Sequence, residues 1–79
     1  MFVMIYNRIA VLRAETGISR QQLAEIVDVN YQTIGFIERG DYSPSLELAF
    51  KIAEAFNVSI TTVFSDQPFK PLFSNEEEK

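Results

Sequence analysis

Arg20-Gln21-Gln22-Leu23-Ala24-Glu25-Ile26-Val27-Asp28-Val29-Asn30-Tyr31-Gln32-Thr33-Ile34-Gly35-Phe36-Ile37-Glu38-Arg39-Gly40 reads as two short helices joined by a tight turn. Apolar or small residues fall at Leu23, Ala24, Val27, Val29, Ile34 and Ile37, where two crossed helices must bury side chains. Ala24 is informative because steeply crossing helices tolerate little more than a methyl group at their contact. The second helix opens with polar Asn30, Tyr31, Gln32 and Thr33. A helix that reads duplex DNA carries its base-contacting side chains at that place.

Working outward, Ser19 followed by Gln22 forms a capping box that starts the first helix of the pair. Asp28 occupies the turn, where it tolerates a left-handed backbone less well than glycine but better than most residues. Asn30 caps the second helix and Gly40 ends it. Upstream, Ile5, Ile9, Leu12 and Arg13 share a helical face, and Gly17 can close that helix. Downstream, Asp41-Tyr42-Ser43-Pro44 forms a loop, and Ser43 or Ser45 caps a fourth helix. Leu46, Ala49, Ile52, Ala53 and Phe56 give that helix an apolar face, and Asn57 ends it. Ser59 can cap a short fifth helix carrying Ile60, Val63 and Phe64. The core is expected to include Leu23, Val27, Ile34, Ile37, Leu46, Ile52 and Phe56.

With 79 residues the chain is one domain, expected over residues 1–73 with a helical core at 7–64. A 47% hydrophobic content fills a small core with little stability to spare, so extra burial in a dimer is expected. The absence of Cys and His excludes disulfides, ordinary zinc sites and hydrolysis with a histidine base. No cofactor and no metal are expected. No apolar run approaches the ~20 residues of a membrane span. Met1 to Tyr6 is apolar but lacks the basic flank of a signal peptide, so a cytoplasmic protein is expected.

The net charge of −4 runs against a DNA-binding reading, since proteins that hold duplex DNA usually show a basic footprint. Arg8, Arg13, Arg20, Arg39 and Lys51 are the cations before residue 57. Part of the acidity lies in Glu76-Glu77-Glu78, within a tail at 74–79 expected to be disordered. This charge balance implies weak non-specific affinity and a need for dimeric binding.

The two ends differ from the middle. Residues 2–6 favour β structure. Pro68 and Pro71 exclude a helix from residues 65–73, yet Phe69, Leu72 and Phe73 are costly to leave in water. The ends at 2–6 and 63–73 are expected to pair as short strands, a dimer interface being one place for that pairing. Folding back onto the domain's own core is the alternative. Phe2, Ile5, Phe64, Phe69, Leu72 and Phe73 are the candidate dimer residues.

Residues 7–64 resemble the Cro and phage-repressor type of helix-turn-helix, the xenobiotic-response-element-like family. The run Asn7-Arg8-Ile9-Ala10-Val11-Leu12-Arg13 is similar to that family's first helix, and Gly17-Ile18-Ser19-Arg20-Gln21-Gln22-Leu23-Ala24 to the start of its second. Gln32-Thr33-Ile34-Gly35-Phe36-Ile37-Glu38-Arg39-Gly40 resembles its recognition helix. Tyr42-Ser43-Pro44-Ser45-Leu46, followed by Ile52-Ala53, resembles the start of its fourth. The compact members with strand-forming ends, such as the small cytolysin-operon repressor, resemble the chain most. The resemblance implies an all-α, five-helix lambda-repressor-like domain with short terminal β-strands, and a dimer joined through a β element. It also implies a structural ion pair between Arg13 and Glu38. Two positions depart from the family pattern. Arg20 stands where a glutamine usually binds a phosphate and braces the recognition helix, and Asp28 stands at the usual turn glycine.

Gln32 is the strongest base-reading candidate, because its amide can donate and accept at N7 and N6 of adenine. Tyr31 offers an aromatic contact to a thymine methyl or a sugar. Phe36 could do the same or serve the domain's own packing. Gly35, weak in mid-helix, could let the helix sit deeper in the groove. Phosphate contacts are expected from Arg20, Asn30, Thr33, Tyr42 and Ser43, and from backbone N–H groups opening the second and fourth helices. Arg39 and Lys51 are weaker phosphate candidates, and Thr33 could equally serve the Asn30 cap. The expected function is a dimeric, sequence-specific regulator of transcription, a repressor reading a near-palindromic operator. The alternative is a protein-interaction module, antitoxin-like or anti-repressor, that uses the helices as a scaffold. No nucleophile–base pair or phosphate loop points to an enzyme.

Overall fold

A computed structural model describes residues 4–69. The elements run β1 (Tyr6–Asn7), α1 (Ile9–Thr16), α2 (Arg20–Val27), α3 (Tyr31–Arg39), α4 (Leu46–Ala55), α5 (Ile60–Val63) and β2 (Phe64–Ser65). Among the described residues there are five helices and one short antiparallel sheet, in which Tyr6 faces Ser65 and Asn7 faces Phe64. Both strands belong to the same chain, so the sheet ties the two ends of the domain together. Arg8 N–H extends the tie by donating to the Val63 carbonyl at 2.9 Å. Phe2, Leu72 and Phe73 lie outside the described residues, as does the acidic tail.

Local chemistry accounts for the helix boundaries. Ser19 and Gln22 form a full capping box: the Ser19 hydroxyl accepts from Gln22 N–H at 3.0 Å, and Gln22 Oε1 accepts from Ser19 N–H at 2.8 Å. The Asn30 side chain accepts from Gln32 N–H at 2.7 Å, and Ser45 from Leu48 N–H at 3.1 Å. At Ser59 the hydroxyl instead bonds the hydroxyls of Thr61 and Thr62. That helix therefore starts without a side-chain cap.

Helices α1 to α4 all stop the same way. Gly17, Asp28, Gly40 and Asn57 take a left-handed backbone. The N–H of each following residue returns to a carbonyl five positions back, as from Ile18 to Arg13 and from Val29 to Ala24. Asp28, at φ 63 and ψ 52, accepts the conformation that glycine would hold more cheaply.

The core gathers Ile9, Leu23, Ala24, Val27, Ile34, Ile37, Ile52, Ala53, Phe56 and Val63, drawn from all five helices and the residue capping α4. Ala24 is buried in it, consistent with the close approach of α2 to its neighbours. Two expected apolar positions behave differently. Leu46 is 70% exposed, because it is the first residue of α4 and its row of side chains runs out past the end of the buried stripe. Leu48, four residues before Ile52, packs on the core instead. Ile5 precedes β1 rather than joining α1, and is 40% exposed. No helix among the described residues is long and apolar enough to cross a membrane.

Candidate nucleic-acid interface

The tight turn from Asp28 to Asn30 aims α3 so that one side packs inward and the other faces solvent. Ile34 and Ile37 fill the core, and Thr33 is half-buried beside them. Tyr31, Gln32 and Phe36 stand on the outer side. Two of them are large aromatic rings about half exposed, side by side on one helix face, and the Arg39 guanidinium lies 5.1 Å over the Phe36 ring. Gln32 leads this face with its amide free of any protein partner among the described hydrogen bonds; only its backbone N–H is used, in the cap.

A charged network behind α3 fixes its position. Arg13 Nε donates to Glu38 Oε2 at 2.6 Å, and Arg13 Nη2 to Oε1 at 3.3 Å. Arg20 Nη2 donates to the same Oε1 at 3.1 Å. The Glu38 carboxylate is only 7% exposed, so α1, α2 and α3 meet at one nearly buried anion held by two guanidinium groups. Arg20 thus supplies a brace of its own where the resembled family usually has glutamine. Asn7 adds a tie that the sequence did not single out. Its Nδ2 donates to the Ile37 carbonyl at 3.0 Å and the Glu38 carbonyl at 3.3 Å. Its Oδ1 accepts from Ile9 N–H at 3.0 Å, so one side chain opens α1 and closes α3.

The candidate phosphate contacts sit on several elements. Tyr42 and Ser43 are exposed in the loop after α3, and Asn30 is exposed at its start with its side-chain oxygen engaged in the cap. Lys51 is exposed on α4 near Glu47, at 3.9 Å. Gly35 is buried, beneath side chains of Arg20 and Arg39. Of the candidate dimer residues within the described region, Ile5 and Phe64 line one apolar groove with Pro44, Leu46, Ala49 and Ile60. Phe69 lies elsewhere, under the Arg8 guanidinium at 4.1 Å from the ring centre.

Comparison with known proteins identifies the family of this fold. The helix-turn-helix family HTH_3 matches residues 9–63, from the first residue of α1 to the last of α5. The uncharacterized HTH-type transcriptional regulator YgzD of Bacillus subtilis is 48% identical over 58 residues, covering 73% of this chain and 88% of that protein. A candidate DNA-binding protein from Bacteroides fragilis superposes with a TM-score of 0.72 at 32% identity, over 78% of this chain and all of that one. The restriction-modification controller protein C.AhdI of Aeromonas hydrophila gives a TM-score of 0.67 at 29% identity, over 70% of this chain and 83% of its own.

Proposed function

The chain belongs to the HTH_3 helix-turn-helix family and is a DNA-binding regulator, and from that premise we propose that it acts as a dimeric, sequence-specific repressor. In this reading α3 lies in the major groove, with Gln32 pairing to adenine and Tyr31 touching a thymine methyl or sugar. Arg20, Tyr42 and Ser43 hold the flanking phosphates, with Asn30 and Thr33 at the start of α3 close to the backbone. The observation that carries the reading is the outer face of α3, where a free amide stands between exposed aromatic rings on a helix braced from behind by Arg13, Glu38 and Arg20.

Dimerism is supported by the groove of Ile5, Pro44, Leu46, Ala49, Ile60 and Phe64, whose Leu46 is costly to expose. Two copies joined there would present two α3 helices, and half-sites about one turn, ~34 Å, apart on a near-palindromic operator would match them. The chain's acidity fits such pairing, because a single copy would bind DNA weakly.

The test is selection from a random duplex DNA pool at fixed, moderate salt, with sedimentation of the free protein alongside. Enrichment of a two-fold-symmetric motif by a dimeric protein is the expected result. A folded protein that enriches no sequence would overturn the reading, and a monomer at micromolar concentration would remove its dimeric part.

A further inference from the structure

The last carbonyls of a helix lack donors within it, and whatever pairs them decides what the helix end is fastened to. At the end of α3 the Ile37 and Glu38 carbonyls accept from Asn7 Nδ2, at 3.0 and 3.3 Å. Among the described residues these are the hydrogen bonds that join α3 to the terminal sheet. The ion network of Glu38 leads the other way, to Arg13 on α1 and Arg20 on α2. Apolar packing leaves the joint open. A cavity of about 260 Å³ lies between β1, the end of α3 and the loop after it, with Ile5, Asn7, Ile37, Tyr42 and Phe64 in its lining. One side-chain amide therefore spans a gap that the core does not fill.

On the far side of that joint is the apolar groove. Ile5 and Phe64 line both the groove and the cavity. Asn7 stands two residues after Ile5 and faces Phe64 in the sheet. Its Oδ1 accepts from Ile9 N–H at 3.0 Å, so all three partners demand one orientation of the amide, a donor for the carbonyls and an acceptor for the N–H.

We propose that Asn7 is a positioning residue: it fixes the pose of α3 relative to the groove, and so sets how strictly the dimer reads the spacing of its two half-sites. This deepens the DNA-binding reading and rests on it, the dimer joined at the groove included. In such a dimer the separation of the two α3 helices runs through both grooves and both joints. Slack at a joint lets the pair fit more than one spacing, whereas a pinned joint admits one. An inserted base pair moves a half-site by about 3.4 Å along the duplex axis and about 35° around it. Hydrogen bonds stretch by only a few tenths of an ångström before they weaken, so a pinned α3 cannot follow that move. Asn7 touches no base and no phosphate in this account, and acts through α3 alone.

The experiment compares the wild type with Asn7→Ser and Asn7→Asp on two duplexes, the selected motif and the same motif with one base pair inserted between its half-sites. Both substitutions keep an oxygen for Ile9 N–H. Serine is too short to reach α3, and aspartate has no donor for its carbonyls. The readout is the spacing penalty, the ratio of the two affinities, measured where circular dichroism shows each protein folded. The penalty is expected to shrink about three- to tenfold in both variants, the share that one hydrogen bond to the helix end can hold. An unchanged penalty would overturn the proposal even if both affinities fell, because a merely structural role weakens the two duplexes alike. Should the variants unfold, hydrogen exchange of the Asn7 side-chain amide in the wild type decides. Protection both in the free dimer and on DNA supports the joint, and exchange as fast as in a short peptide overturns it. A wild type that sediments as a monomer or selects no motif is a separate result, which would overturn the dimer or the DNA reading together with this inference.

Discussion

Gly35→Ala adds one methyl group near the middle of α3, at a residue with ordinary helical backbone. Alanine there gains about 1 kcal/mol over glycine in intrinsic helix preference. Against this stands the fit of the new methyl, 3.3 Å from Arg39 Nη1 and 3.4 Å from Arg20 Nη1. Both neighbours are the far ends of long side chains, and the Arg39 side chain is 54% exposed, so they can shift by a few tenths of an ångström. The net change is a gain of about 0.5–1 kcal/mol, which for a domain of this size raises the melting temperature by roughly 2–8 °C. Thermal unfolding followed by circular dichroism measures the effect. A destabilised variant would refute the reasoning that the two arginine ends yield to the new methyl.

Other substitutions probe the framework around that face. Glu38→Gln leaves Arg13 and Arg20 facing a neutral amide and should cost about 2–4 kcal/mol in urea unfolding, below the upper range for buried pairs because both arginines keep some water. A cycle with Arg13→Met should show coupling above about 1 kcal/mol, and additive effects would reject the pair. Ala24→Leu should lose about 1–3 kcal/mol through overpacking where α2 meets its neighbours, and retention of wild-type stability would contradict the close packing. Asn7→Ala removes bonds to the start of α1 and the end of α3, and a loss of about 1–2 kcal/mol is expected from denaturant midpoints.

Most of the helical framework is legible because its cues are local. Ser19 with Gln22, Asn30, and the left-handed positions at Gly17 and Gly40 each act within a few residues of themselves. What escaped depends on residues far apart in the chain. Asn7 bonds carbonyls 30 and 31 positions away, and nothing in its neighbourhood announces this. Leu46 satisfies the helical period, but the period says nothing of where the partner surface ends. The packing of Arg20 and Arg39 over Gly35 is hidden for the same reason. Each is unremarkable alone, and only the crossing of α2 and α3 brings both guanidinium groups over one glycine. The end strands were expected from composition, yet their register, Tyr6 to Ser65, follows from the path of the five helices.

The central claim is that the outer face of α3 reads bases, and Gln32→Ala tests it most directly. The measurement is selection from a random duplex pool with the wild type and this variant side by side, at one salt concentration. The account predicts the same two-fold-symmetric motif for both, with preference at one base pair per half-site relaxed in the variant and a cost of about 1–3 kcal/mol on the wild-type site. An unchanged motif bound with unchanged affinity would show that Gln32 faces solvent in the complex and that α3 does not read the groove as described.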